Sequence, residues 1–165
     1  MKQAKIQGAS HNGAYVIRFQ GDIRLTLSAS VDDYFSDMCK DPDFVSVWFD
    51  LGDADGLDST TLGILAKLAI KIRKNFGFSP AIFSTQPGIT RLLRSMEFHK
   101  LFDLREECCV SSEVPRDLPM VNDDEIKLRD KVIEAHKVLM NISHENEVKF
   151  KNDVFTGKAG KLVNQ

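Results

Sequence analysis

Residues 50–65 read Asp50-Leu51-Gly52-Asp53-Ala54-Asp55-Gly56-Leu57-Asp58-Ser59-Thr60-Thr61-Leu62-Gly63-Ile64-Leu65. The run that enters this stretch, Phe44 to Leu51, is β-branched and aromatic. Such a run predicts a buried strand. Gly52 to Gly56 reads as an acidic loop. Asp58 or Ser59 then caps a helix that runs to about Asn75. Leu62, Leu65, Leu68, Ala69 and Ile72 form one broad apolar face on it. Lys67, Lys71, Arg73 and Lys74 load its last turns with positive charge that complements the helix dipole, and Gly77 follows as a stop.

Working outward, Ala14 to Gln20 is β-rich, and Asn12-Gly13 before it is a strong hairpin signal. The hairpin's first strand is Lys5 to Gly8, and Gly21-Asp22 is expected to end the second. From Leu25 to Met38 the period becomes helical, with Leu27, Val31, Tyr34, Phe35 and Met38 in register. Asp41-Pro42-Asp43 breaks that helix. Downstream, Ser79 to Ser84 reads as a short strand, and Pro87 opens a helix carrying Ile89, Leu92, Leu93 and Met96. Leu101 to Leu104 is a short last strand. Strands alternating with helices imply a mostly parallel sheet. The expected fold is α/β: a small mixed sheet with an N-terminal hairpin, covered by helices, plus a C-terminal helical extension.

Four segments follow: a domain over 1–108, a linker over 109–122, a helical extension over 123–155 and a tail over 156–165. Pro115, Pro119 and weak periodicity mark the linker, and Asp123-Asp124-Glu125 is an acidic helix start. Leu128, Val132, Ala135, Leu139 and Ile142 then form a heptad-like stripe. Such a stripe must bury against its own domain, a second copy or a partner protein.

Composition sets bounds on function. The chain has 165 residues, 42% hydrophobic and 28% charged, so a packed core is expected. A net charge of -2 gives no basic excess for nucleic-acid binding. No apolar run approaches a membrane helix, and Met1-Lys2-Gln3-Ala4-Lys5 lacks the apolar core of a signal peptide. Cys39, Cys108 and Cys109 suggest no disulfide framework and no zinc spacing, which fits a reducing cytoplasm. No Gly-x-Ser-x-Gly elbow or P-loop occurs. The four histidines, His11, His99, His136 and His144, show no paired pattern and read as surface or helix-face residues. The acidic run 50–58 lacks the companions of a phospho-aspartate receiver and specifies no magnesium site. No cofactor and no metal are expected, and no residue argues for an enzyme.

The stretch 50–65 resembles the signature of STAS domains, the fold of bacterial anti-sigma factor antagonists, in which Asp-Ser-Ser/Thr-Gly-Leu-Gly opens a helix after a buried strand. Gly21-Asp22-Ile23-Arg24-Leu25 looks like the family's glycine-centred loop, and Phe98-His99-Lys100-Leu101-Phe102 like its Gly-Phe-x-x-x-Phe segment. Thr61 and Glu97 stand where the family has glycine. The extension, with Glu134 to Met140 and Glu145-Asn146, resembles the longer anti-anti-sigma factors of biofilm and motility circuits, the HsbA-like subtype.

The resemblance implies phosphorylation at Ser59, with Thr60 and Thr61 as minor acceptors and Asp22 and Asp58 shaping the site. It implies an anti-sigma factor as partner, a serine kinase and a PP2C-type phosphatase acting on Ser59, and partner switching as the mechanism. Leu57, Leu62 and Ile64 are candidate partner contacts; core packing is the alternative for Leu62 and Ile64. Read from the residues alone, Ser59 is an ordinary N-cap. The alternative functions are a STAS scaffold that oligomerises through the C-terminal helix, or a ligand- or lipid-handling accessory subunit.

Overall fold

A computed structural model describes residues 3–106, 116–118 and 125–142. Asn12 and Gly13 both take left-handed backbone, with φ of 49° and 85°. This is the conformation a two-residue hairpin turn requires. It joins β1 (Lys5–His11) to β2 (Ala14–Ile23) as an antiparallel pair. Helix α1 (Leu25–Lys40) follows, then β3 (Ser46–Leu57), α2 (Ser59–Phe76), β4 (Ala81–Phe83) and α3 (Pro87–Ser95). A 3₁₀ turn at Phe98–Lys100 leads to β5 (Asp103–Arg105); β6 (Arg116–Asp117) and α4 (Glu125–Ile142) complete the order.

The strands form one six-stranded sheet in the order β5-β4-β3-β2-β1-β6. β2, β3, β4 and β5 run parallel, and β1 is antiparallel to both of its neighbours. The expected mixed sheet with an N-terminal hairpin is therefore present. Two expectations change. Gly52 to Gly56 is strand, not loop, because β2 continues through Gly21-Asp22 to Ile23 and keeps pairing with β3 up to Leu57. The register shifts twice along this pair, and β3 has 12 residues against 10 in β2. Such bulges extend pairing into a stretch whose composition reads as loop. The second change lies in the expected linker 109–122: within it Arg116–Asp117 adds β6 to the edge of β1, and the Leu118 amide donates to the Ile6 carbonyl at 2.8 Å. Cys108, Cys109, His144 and the expected tail lie outside the described residues.

Alternation along the strands puts Ile17, Phe19, Val47, Phe49, Leu51 and Ile82 in the core cluster. The opposite face carries the Arg18–Asp50 ion pair at 3.2 Å and Arg105 over the Trp48 ring. Against the core cluster pack Val31, Phe35 and Met38 of α1 and the Leu62, Leu65, Leu68, Ala69 and Ile72 face of α2. α2 ends at Gly77, whose φ of 77° is the left-handed C-cap that glycine adopts at least cost.

The stripe on α4 docks on its own domain. Val132, Ala135 and Leu139 are buried, and Leu139 joins the main core cluster. The consequence for α2 is burial on more than one side: every residue from Ser59 to Ala66 is buried. A helix covered by a sheet alone would keep a polar outer stripe there.

The hairpin turn gives the fold's most exposed weakness. A side chain at Gly13 would collide with the Asp43 carbonyl and would also have to hold φ at 85°. Gly13→Ala is expected to lower stability by about 2 kcal/mol or more, read from urea unfolding; a loss of a few tenths would refute the close approach.

Candidate functional site

The site forms where β2 and β3 end together and α1 and α2 begin. Ile23 pairs with Leu57, and the Asp58 amide donates to the Ile23 carbonyl at 3.2 Å. Asp58 is the N-cap of α2 and is only 2% exposed. Its Oδ1 accepts from the Thr61 amide and from the Thr61 hydroxyl, both at 2.7 Å. Its Oδ2 accepts from the Leu25 amide at 2.8 Å. Leu25 opens α1, whose own N-cap Arg24 makes no side-chain cap. One carboxylate thus serves the first turns of two helices. Burial pushes the Asp58 carboxyl above the ordinary aspartate range, opposed by the hydrogen bonds from Thr61 and Leu25 and by the charge of Arg24.

Asp58 and not Ser59 therefore caps the helix, which leaves the Ser59 hydroxyl for another partner. Ser59 is 7% exposed, and its Oγ is hydrogen-bonded to Nε2 of His136 at 2.8 Å; the tautomer of the imidazole decides which of the two donates. His136 lies on α4, fully buried, 77 positions away in sequence. One turn further along α2, a methyl group at Gly63 would collide with Cβ and the carbonyl oxygen of Ala135. A further turn on, the Lys67 ammonium lies 2.9 Å from Asp32 of α1 and 3.7 Å from Glu134 of α4. Ser59, Gly63 and Lys67, spaced by four, line the α2 face under α4.

The expected site residues divide accordingly. Thr61 is committed to the Asp58 carboxylate. Thr60 is fully buried, and its hydroxyl has no hydrogen-bond partner among the described residues. Asp22 pairs with Arg24 at 2.8 Å with its side chain half exposed, and its carboxylate lies where a Gly56 side chain would stand. Leu57, Leu62 and Ile64 are all buried in the core cluster, which is the core-packing alternative for Leu62 and Ile64 and a correction of the exposure expected for Leu57. The sheet and neighbouring helices cover the first turns of α2 together, so these three side chains are inside in this arrangement. Asp53 and Asp55 remain exposed on the bulged end of β3. Among the described residues no group of three His, Cys, Asp or Glu side chains is placed to hold a metal ion.

Sequence reasoning missed His136, Ala135 as a close contact, and Lys67 as a clip. The only signal for the first two was the α4 stripe, which shows that a face is buried and not what it meets.

Two measurements check this geometry. Asp58→Ala removes acceptors from both helix starts and is expected to cost about 2–4 kcal/mol in chemical unfolding, more than an exposed cap. The Asp58 carboxyl should titrate by NMR above 3.8, the ordinary aspartate value. The folded protein then holds this proton more tightly than the unfolded chain, so this group's contribution to stability falls as pH rises from 3.8 through the folded value. A midpoint below 3.8 would show the hydrogen bonds outweighing burial.

A strand that runs through Asp50-Leu51 to Leu57, a helix opening at Asp58-Ser59 and a parallel sheet flanked by a hairpin are the parts on which a family comparison bears. The chain matches the family model described as STAS domain over residues 5–109. No curated relative matches it. The matched region ends before β6 and α4, so the helix that covers Ser59 lies outside it. With more than half of its length matched, and the Ser59 helix start inside the match, the chain belongs to the STAS family.

Proposed function

We propose that the protein is an anti-sigma factor antagonist of the HsbA-like subtype, acting in the cytoplasm by phosphorylation-dependent partner switching, as a binding module and not an enzyme. The observation that carries this reading is the position of Ser59. It is the first residue of α2, and with Asp58 in the capping role the Ser59 hydroxyl is hydrogen-bonded to His136 of α4. Membership of the STAS family supports it.

The chemistry required is simple. A serine kinase transfers the γ-phosphoryl group of a nucleoside triphosphate to Oγ: the new O–P bond forms as the bond to the diphosphate breaks, and the hydroxyl proton passes to a kinase base. A PP2C-type phosphatase returns the serine by hydrolysis. Phosphate adds about -1.5 to -2 charges. Asp53 and Asp55, both exposed, already lie close to Ser59 in sequence. A partner that desolvates this end of the molecule would face trapped like charge, and ~3 kcal/mol of it removes about two decades of affinity. The anti-sigma factor is bound by the unphosphorylated form and released by the phosphorylated one.

Three other readings have less support. The Ser59–His136 distance suits a nucleophile and its base. Yet both side chains are buried. A scaffold assembled through the C-terminal helix would need the α4 stripe, whose central residues are already spent on this domain. A membrane-embedded role has no helix to rest on among the described residues, since none is long and apolar enough to cross a membrane.

Wild-type, Ser59→Ala and Ser59→Asp baits in native lysate, read by mass spectrometry, test the switch. The expected result is capture of an anti-sigma factor or a kinase/phosphatase regulator by the first two and a loss of roughly a hundredfold with the third. Identical partners on all three baits would end the switching reading.

A further inference from the structure

We propose that α4 is a helix released by phosphate: the hydroxyl form of Ser59 holds it on α2, and phosphoserine at 59 and docked α4 exclude one another. This rests on the reading of Ser59 as the phosphorylated residue and names what that modification moves.

Three contacts along one line fix α4 in place. At the start of α2 the Ser59 hydroxyl is hydrogen-bonded to the His136 ring at 2.8 Å, with both side chains buried. At Gly63 the two helices approach so closely that the Ala135 backbone occupies the space of a methyl group. At Lys67 the ammonium is shared between Asp32 and Glu134. Glu134 is more than half exposed, so that ion pair adds little. The hold on α4 is therefore mostly shape, apolar burial at Val132, Ala135 and Leu139, and the hydrogen bond at Ser59.

A phosphoryl group brings three oxygens and nearly two charges to Oγ. The His136 nitrogen stands 2.8 Å from Oγ, within the reach of the oxygens that a phosphoryl group would carry there. α4 is already at backbone contact with Gly63 one turn away, so room for the phosphoryl group has to come from α4 moving off α2. Close-packed helix contacts of this kind give way as a unit and not by degrees. Linkage then runs in both directions: docked α4 hinders modification of Ser59 by the same free energy with which the phosphate displaces α4. A partner that engages the Ser59 face competes with α4 as well. One covalent event would both place charge on the α2 surface and expose the apolar stripe of α4.

The test uses the full chain with phosphoserine placed at position 59 during translation, compared with the serine form by hydrogen exchange. Amides of 125–142 are expected to exchange about tenfold faster or more in the phosphoserine form, while those of β3 and β4 keep their protection. Ala135→Leu, which cannot pass Gly63, provides the reference for a displaced helix with Ser59 unmodified, and the phosphoserine form should approach its exchange. Equal or greater protection of 125–142 in the phosphoserine form overturns the proposal, since it would mean that His136 accepts the phosphate beneath a docked helix. Loss of protection in β3 and β4 as well overturns it too, because release requires a domain that stays folded. The phosphate is installed here and not taken from a kinase. Failure of this result therefore leaves partner switching standing, and an absence of Ser59 phosphorylation in cells leaves this result standing.

Discussion

The carboxylate of Asp58 is the joint on which this structure turns. Both of its oxygens are committed, Oδ1 to the amide and hydroxyl of Thr61 and Oδ2 to the amide of Leu25. Helix N-termini leave amides without intrahelical partners, and a buried amide left so is costly. At this corner of the sheet a single side chain accepts from an amide at the start of each helix, Leu25 of α1 and Thr61 of α2. The arrangement has its own cost, visible in the raised pKa: burial of the charge outweighs the hydrogen bonds made to it. A side chain held at that cost fixes geometry more than it adds stability. What it fixes is the direction of the next residue. With the cap supplied by Asp58, Ser59 has no local role to perform, and its hydroxyl is carried outward by the first turn of α2 to meet His136.

From that joint the rest of the α2 surface follows in steps of four. Ser59, Gly63 and Lys67 present a hydroxyl, a bare backbone and a cation, and α4 answers with an imidazole, a small residue and a carboxylate. Glycine inside a helix costs about 1 kcal/mol relative to alanine. Here that cost is offset because the missing side chain lets Ala135 come within backbone contact. The closeness brings His136 within hydrogen-bond reach of Ser59; a wider separation would leave both buried polar groups to find other partners.

Much of this architecture is legible in the sequence. Asn12-Gly13, Pro87 and Gly77 each act through a local backbone preference, and each stands where that preference requires. The apolar faces of α1 and α2 were visible as periodicities because one side of each meets a sheet. Three features were not legible, each for a physical reason. The bulged end of β3 looks like a loop because its glycines and aspartates carry turn chemistry, and only the pairing with β2 makes it strand. The short β6 has no periodicity to show; it exists because β1 offers an open edge. His136 could not be joined to Ser59 because a helical stripe records burial and is silent about the face it meets.

The two departures from the family pattern are informative in different ways. Thr61, in place of a glycine, adds a third donor to the Asp58 carboxylate and so tightens the joint. Glu97, also in place of a glycine, takes the left-handed backbone at φ 60° that glycine adopts freely. Its neighbours hold that turn in place: Phe98 and Phe102 stack with ring centroids 5.4 Å apart, both buried, and Lys100 pairs with the Glu97 carboxylate at 3.0 Å. Strain of this sort persists only where packing on either side overdetermines the backbone. The first departure therefore changes the chemistry of the site, and the second leaves the turn's shape intact at a local cost. Identity at these positions is less informative than the conformation and the hydrogen bonds that the residue has to satisfy.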